Sequence, residues 1–327
     1  MKIGVVGCGA LGCYYGAKLC RDGPEVHFLL RSDYEAVRRK GVQVRSVEGN
    51  FRVQPKCARA PEQIGFCDLV LIGLKTTANE QFPQLLPPLV GPRTAVMTLQ
   101  NGLGNEARLA ALFGDEKVLG GLCFVCLNRT EPGVVHHLAH GTIVMGEHRR
   151  WPEPRTHDIA SMFRHAGVPC KVAANLERAH WEKLVWNIPF NGLGVAGAAG
   201  YESLTASPSA LPVPRPLGPC LPTDRLLGDP RWENLVRELM LEVIGTANAL
   251  KLNIPESVAE KQIARTRAMG AYKASTLIDF ERRQPLELES MFLEPLHQAQ
   301  SANVPTPRLA ALCKVLKRLD PVPQSGN

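Results

Sequence analysis

The sequence predicts an α/β amino-terminal domain built on a mainly parallel sheet, followed by an all-α carboxyl-terminal domain. Three observations lead there. Short apolar runs alternate with helical patterns through the first third of the chain, which calls for parallel strands with helices on both faces. A glycine-rich turn stands directly between the first such run and the first helix. From residue 175 onward, apolar positions recur at helical intervals. With 327 residues, 45% of them apolar, the chain is long enough for about two domains, each with its own core.

Residues 2–6 form the first strand-like run, residues 11–20 the first helix, and residues 26–30, 68–73 and 94–99 further strands. Residues 118–127 read as a buried strand, 133–137 and 142–146 as the two arms of a hairpin, and 159–166 and 169–172 as a last helix and strand. Helices are expected over 177–196, 232–250, 255–268, 275–281, 287–302 and 306–319. The division falls near Ala173, giving a cofactor-binding domain over 1–173 and a helical substrate domain over 174–327. Within the latter, residues 203–230 hold seven prolines in 28 positions, a density that excludes helix and central strand and predicts an extended surface insertion. The tail from Asp320 is expected to fray.

The net charge of +7 comes from 38 basic and 31 acidic residues scattered in ones and twos, without a basic helix interleaved with aromatics. That pattern argues against nucleic acid and for anionic small molecules. No apolar run approaches the roughly 20 residues of a membrane span. Met1 leads straight into a strand, so a cytoplasmic setting with ten reduced cysteines is expected. Cys123-Phe-Val-Cys126 lacks a second such pair and lies in an apolar run, and with His136, His137 and His140 in the hairpin region no metal site is expected.

Gly7-Cys8-Gly9-Ala10-Leu11-Gly12 meets the context a dinucleotide fingerprint requires, a strand before and a helix after, and makes the amino-terminal domain Rossmann-type. Gly7 permits the turn, Gly9 lets the backbone approach a pyrophosphate, and Gly12 allows close packing. The amide groups opening the helix face the phosphates. After the second strand comes Arg31-Ser32, where a site for NAD carries an acidic residue. A guanidinium there suits a 2′-phosphate, so NADPH/NADP+ is the expected cofactor. Lys75 and Asn101 lie in turns that follow two further strands and are candidate cofactor contacts, Asn101 also a substrate contact.

In the helical half, Lys183, Asn187 and Asn191 recur at steps of four and share one helix face, with Leu184, Val185, Trp186, Ile188 and Phe190 around them. Hydride delivery to a ketone generates alkoxide charge and calls for a proton donor. A lysine ammonium serves, and partial burial eases release of its proton. Pro189 is expected to kink this helix. A carboxylate partner for Lys183 is offered by Asp279, Glu287 or Glu289, among which spacing does not choose.

Taken together, GCGALG at residue 7, Arg31, Leu74-Lys75, QNGLG at 100–104, WEKLVWN at 181–187, SxxxD at 275–279 and LE at 286–287 resemble the ketopantoate reductase (2-dehydropantoate 2-reductase) family. The resemblance implies NADPH-dependent reduction of a small 2-oxo acid, 2-dehydropantoate, to (R)-pantoate on the way to pantothenate and coenzyme A, by an enzyme that could act as a homodimer. It further implies that Lys183 is the general acid and that Asn101 contacts cofactor and substrate. Asn187 and Asn191 are then substrate-binding asparagines, Ser275 holds the substrate carboxylate, and Glu287, rather than its neighbours, contacts substrate hydroxyls. Two positions depart from the family pattern. Tyr201 stands where some members use another asparagine, and Leu293 where a glycine is frequent. These departures leave open another branched 2-oxo acid, and the proline-rich insertion leaves open a non-catalytic NADPH-binding partner protein.

Overall fold

The computed structural model describes residues 1–21, 23–205 and 216–320, which form two compact units, Met1–Ala179 and His180–Asn327.

The first unit contains one sheet of strands β1 (Lys2–Val6), β2 (Glu25–Leu29), β3 (Val42–Ser46), β4 (Phe51–Val53), β5 (Lys56–Ala58), β6 (Cys67–Ile72), β7 (Val90–Thr98), β8 (Val118–Glu131), β9 (Val134–Glu147) and β10 (Cys170–Val172). Its order is β4-β3-β9-β8-β7-β6-β1-β2-β5, with β10 beside β9. Only β3–β4 and β8–β9 pair antiparallel, as expected for a mainly parallel sheet. The helices are α1 (Ala10–Cys20), α2 (Tyr34–Lys40), α3 (Phe82–Leu85), α4 (Asn105–Phe113) and α5 (Pro154–His165). Side chains alternate across the central strands. Ile3, Val5, Leu69 and Leu71 enter one core, while Val6, Val70 and Ile72 enter the other, so both faces are covered and the strands read as continuous apolar runs.

The two ends of the sheet, β4 and β5, are joined only by Gln54-Pro55. A connection that short spans at most about 11 Å, so the sheet must curl until its ends approach. Helix α1 lies inside the curl and touches β1, β2, β3, β4, β8 and β9. That explains why α1 is buried continuously from Gly12 to Leu19, including Lys18, whose Nζ donates to Glu48 at 2.9 Å. The short strands β4 and β5 carry no periodic signal because three residues are too few to show alternation, whereas β3 does alternate, but over only five residues, Val42–Ser46.

Three expectations need correction. The hairpin expected between 133–137 and 142–146 is instead one strand, β9, and its partner arm is β8. His140 and Gly141 have φ of 66° and 130°, and the register slips beside them, so the glycine marks a bulge within a strand rather than a turn. The proline-rich segment is helical at both ends, in α7 (Glu202–Thr205) and α8 (Thr223–Gly228), while residues 206–215, with Pro208, Pro212 and Pro214, lie outside the described residues. No proline falls within α8. Pro222 is its N-cap and Pro230 opens the next helix, positions where a missing N–H removes no helix bond. The helix expected over 287–302 begins as a π turn, Glu289–Leu293, and continues as a regular helix only from Glu294. Residues 321–327 of the tail lie outside the described residues.

The second unit holds most of α6 (Leu176–Ala196), together with α7, α8, α9 (Pro230–Ala249), α10 (Ser257–Arg267), α11 (Ser275–Glu281), α12 (Glu294–Ser301) and α13 (Pro307–Leu319). Helix α6 runs unbroken through Pro189. The carboxyl-terminal arm of the proline-rich segment is laid along it. Leu221 N–H donates to Gly194 at 2.9 Å, Gly218 N–H donates to Ala198 at 2.8 Å, and a Cβ at Gly197 would collide with the Leu221 side chain.

Candidate active site

Parallel pairing of β2, β1, β6 and β7 brings their four carboxyl ends to one edge, the edge at which open α/β sheets bind ligands. The loop after β1 carries the glycine motif, and each glycine has its own physical reason. Gly7 has φ of 92°, and a side chain there would strike the Leu74 backbone. A Cβ at Gly12 would strike the carbonyl of Gly7. At Gly9, the N-cap of α1, a Cβ would meet no atom within 4 Å. This is an open cradle at a helix amino terminus with room for phosphate oxygens, so the residues present fit a dinucleotide. Ala10 and Leu11, half-buried, open the helix behind it. The Cys8 thiol turns inward toward the Val5 and Leu29 carbonyls at 3.6 and 3.5 Å, and burial, with Cys13 and Cys57 nearby, holds its pKa well above the ordinary thiol range. Cys8 is therefore a packing group rather than a nucleophile.

Beyond β2, Arg31 and Ser32 are exposed, whereas the acidic side chain that follows them, Asp33, is buried at 4% exposure, and the exposed Glu35 pairs with Arg59 and Arg38. The Asp33 carboxylate accepts from Arg129 Nη2 at 2.6 Å and from the Gly133 N–H at 3.2 Å, so it is committed to the β8–β9 hairpin. Arg31 is an exposed cation directly at this strand end. Lys75, the N-cap of the short 3₁₀ turn Thr76–Gln81, is exposed, and Asn101 is half-buried in the loop after β7. A set of buried polar groups lies beneath these two loops, Asn79, Thr98, Gln100 and Asn105; Gln100 belongs to the QNGLG motif, whereas Asn79, Thr98 and Asn105 look in the sequence like ordinary loop, strand and helix residues.

In the helical unit, Lys183 is half-buried, and Asn187 and Asn191 are 6% and 2% exposed on α6. Asn191 Oδ1 accepts from the Thr276 N–H at 3.0 Å and from Ser275 Oγ at 3.3 Å, while its Nδ2 donates to the Asn187 carbonyl at 3.0 Å. The asparagine thus ties together two predicted site residues 84 positions apart, Asn191 and Ser275, and caps the amino end of α11. Glu287 is 7% exposed two residues before the π turn, a distortion that proteins place at functional sites. Of its rivals, Asp279 is half-buried and Glu289 exposed. Tyr201 packs its ring edge-on against Trp232 with centroids 5.3 Å apart, and Arg231 covers it at 5.2 Å. That packing gives this departure from the family pattern a structural role. Leu293 is buried within the π turn.

Cys123 and Cys126 both lie on β8, where a spacing of three sends side chains to opposite faces. His137 is engaged by Ser46 Oγ at 2.8 Å and by the His140 carbonyl at 2.9 Å. No helix among the described residues is long and apolar enough to cross a membrane.

The family described as ketopantoate reductase PanE/ApbA matches residues 3–150, and its carboxyl-terminal counterpart matches residues 220–320. The chain is 38% identical over 332 aligned positions to a 2-dehydropantoate 2-reductase from Nostoc, covering 100% of this chain and 97% of that one. Among solved structures, a 2-dehydropantoate 2-reductase from Geobacter metallireducens superposes with a TM-score of 0.87 at 45% identity, covering 97% of this chain and 99% of that chain. Another from Methylococcus capsulatus gives 0.85 at 31% identity, covering 97% and 96%. With the whole chain aligned and the glycine cradle and the asparagine-bearing helix both in place, the protein belongs to the ketopantoate reductase family and is an NADP-dependent oxidoreductase.

Proposed function

We propose that the chain reduces 2-dehydropantoate to (R)-pantoate with NADPH, a step toward pantothenate and coenzyme A. The observation that carries this reading is full-length similarity, at 38% and 45% identity, to proteins named for that reaction. In the α/β unit, the amides around Gly9 would hold the pyrophosphate, and Arg31 the 2′-phosphate, with Asp33 kept out of play by Arg129. Lys75 and Asn101 would contact the cofactor where the β6 and β7 loops meet it. When bound, NADPH supplies the hydride.

In the helical unit, Lys183 Nζ donates the proton that neutralises alkoxide charge at the substrate carbonyl oxygen. Asn187 and Asn191 orient the substrate, Ser275 binds its carboxylate, and Glu287 accepts from its hydroxyl group. A homodimer, a cytoplasmic setting and a substrate-domain boundary near Ala173 belong to the same reading, and light scattering on the purified protein tests the dimer.

The deciding experiment is addition of ketopantoate to protein and NADPH while nicotinamide absorbance is followed, beside a panel of other 2-oxo acids. Rapid loss of absorbance with ketopantoate supports the proposal. Turnover of another 2-oxo acid with none of ketopantoate overturns the substrate, and no turnover of any overturns the enzyme.

A further inference from the structure

Beneath the β6 and β7 loops, four buried side chains form a continuous hydrogen-bond chain in which every donor points the same way. Thr98 Oγ1 donates to Gln100 Oε1 at 2.9 Å, and Gln100 Nε2 donates to Asn79 Oδ1 at 2.7 Å. Asn79 Nδ2 donates to Asn105 Oδ1 at 2.9 Å, and Asn105 Nδ2 donates to the Asn101 carbonyl at 3.0 Å. The Gln100 N–H returns to Thr98 Oγ1 at 3.2 Å and closes the far end. Thr98, Gln100, Asn79 and Asn105 are 0%, 4%, 5% and 0% exposed, so none of these groups has bulk water as an alternative partner.

A buried polar chain of one polarity is rigid because reversing any amide breaks two bonds at once, and aligned bonds polarise one another. This one ends on the backbone of Asn101, between residues that need fixing. Gly102 and Gly104 follow with φ of 83° and 84°, a pair of left-handed residues that leaves the loop backbone free to adopt other conformations. The chain also joins the loop that carries Lys75 to the loop that carries Asn101.

We propose that Asn105 and Asn79 are positioning residues that set the orientation of the Asn101 peptide, and through it the Asn101 side chain, for the reaction. This rests on the reading of Asn101 as a cofactor and substrate contact.

Asn105→Asp is the sharpest probe. It keeps the shape and the bond from Asn79, and an acidic group is favoured at the first position of α4, yet it replaces the donor facing the Asn101 carbonyl with a carboxylate oxygen. Steady-state kinetics with NADPH and ketopantoate on Asn105→Asp, Asn101→Ala and the double variant, with melting temperatures alongside, form a cycle. The expected result is that Asn105→Asp lowers kcat by about tenfold in the native background and by less than about twofold when Asn101 is already alanine. Equal losses in both backgrounds, or no loss in the native one, overturn the positioning role. Native kinetics for Asn101→Ala alone overturn the reading of Asn101 itself, and the positioning role with it. Should Asn105→Asp melt far below the native protein, Asn79→Asp breaks the same chain one link earlier and enters the same cycle with the same criteria.

Discussion

Asn191 and Thr276, 85 residues apart, are joined by a 3.0 Å bond from the Thr276 N–H to Asn191 Oδ1, so a side chain on α6 terminates the backbone of α11. The Thr276 amide is buried with its residue at 3% exposure. Asn191→Leu leaves that donor without an acceptor, at a cost of about 1–3 kcal/mol. Urea unfolding should show that loss, and KM for the keto acid should rise because Ser275 loses its tether to the same oxygen. An unchanged KM would detach Asn191, and the Ser275 it tethers, from substrate binding.

The second and third glycines of the fingerprint should separate binding from folding. Gly9→Val points into open space, so the protein should fold normally and lose NADPH affinity by at least about tenfold, measured by fluorescence titration. Gly12→Val collides with the Gly7 carbonyl and should reduce soluble yield and melting temperature. Normal NADPH affinity in Gly9→Val would remove the cradle from the cofactor site.

Lys183→Ala should lower kcat by roughly 10²–10⁴ while leaving the affinity for NADPH near native, the signature of a lost general acid. Near-native turnover would reassign the proton donor.

Because Asp33 is bound to Arg129, discrimination between cofactors should rest on Arg31. Arg31→Ala should weaken NADPH much more than NADH in parallel titrations. Equal losses would place the 2′-phosphate elsewhere.

Glu233, in the first turn of α9, lies 2.6 Å from Arg267 Nη2 and 3.2 Å from Arg237 Nη2, and these partners hold its carboxyl below the usual glutamate range. A lowered folded-state pKa means stability that is complete above the unfolded value, about 4.3, and lost as pH falls through the folded value. Urea midpoints of Glu233→Gln should therefore fall below native at neutral pH and converge with native in acid. A constant gap across that range would exclude the linkage.

Much of this protein was legible in one dimension. The strand, glycine turn and helix of residues 2–20 act within a few positions of one another, as do the four-residue steps that align Lys183, Asn187 and Asn191. Local period and local sterics encode both. The family resemblance added roles to residues whose types and spacing were already apparent. By contrast, Gly141 sat in a bulge rather than a turn, because only the ladder with β8 decides whether a punctuated segment continues as strand.

What the sequence determined by itself was therefore the order of the elements, the dinucleotide turn and the set of residue types available for the chemistry. The tertiary structure alone decided the partnerships: Asp33 with Arg129, Asn191 with Ser275 and Thr276, Tyr201 with Trp232, and the Thr98–Gln100–Asn79–Asn105 chain under Asn101. The physical reason is that a buried polar group must find a partner wherever the packed elements bring one. Which elements meet depends on the curl of the sheet and the packing of the helices, not on distance along the chain.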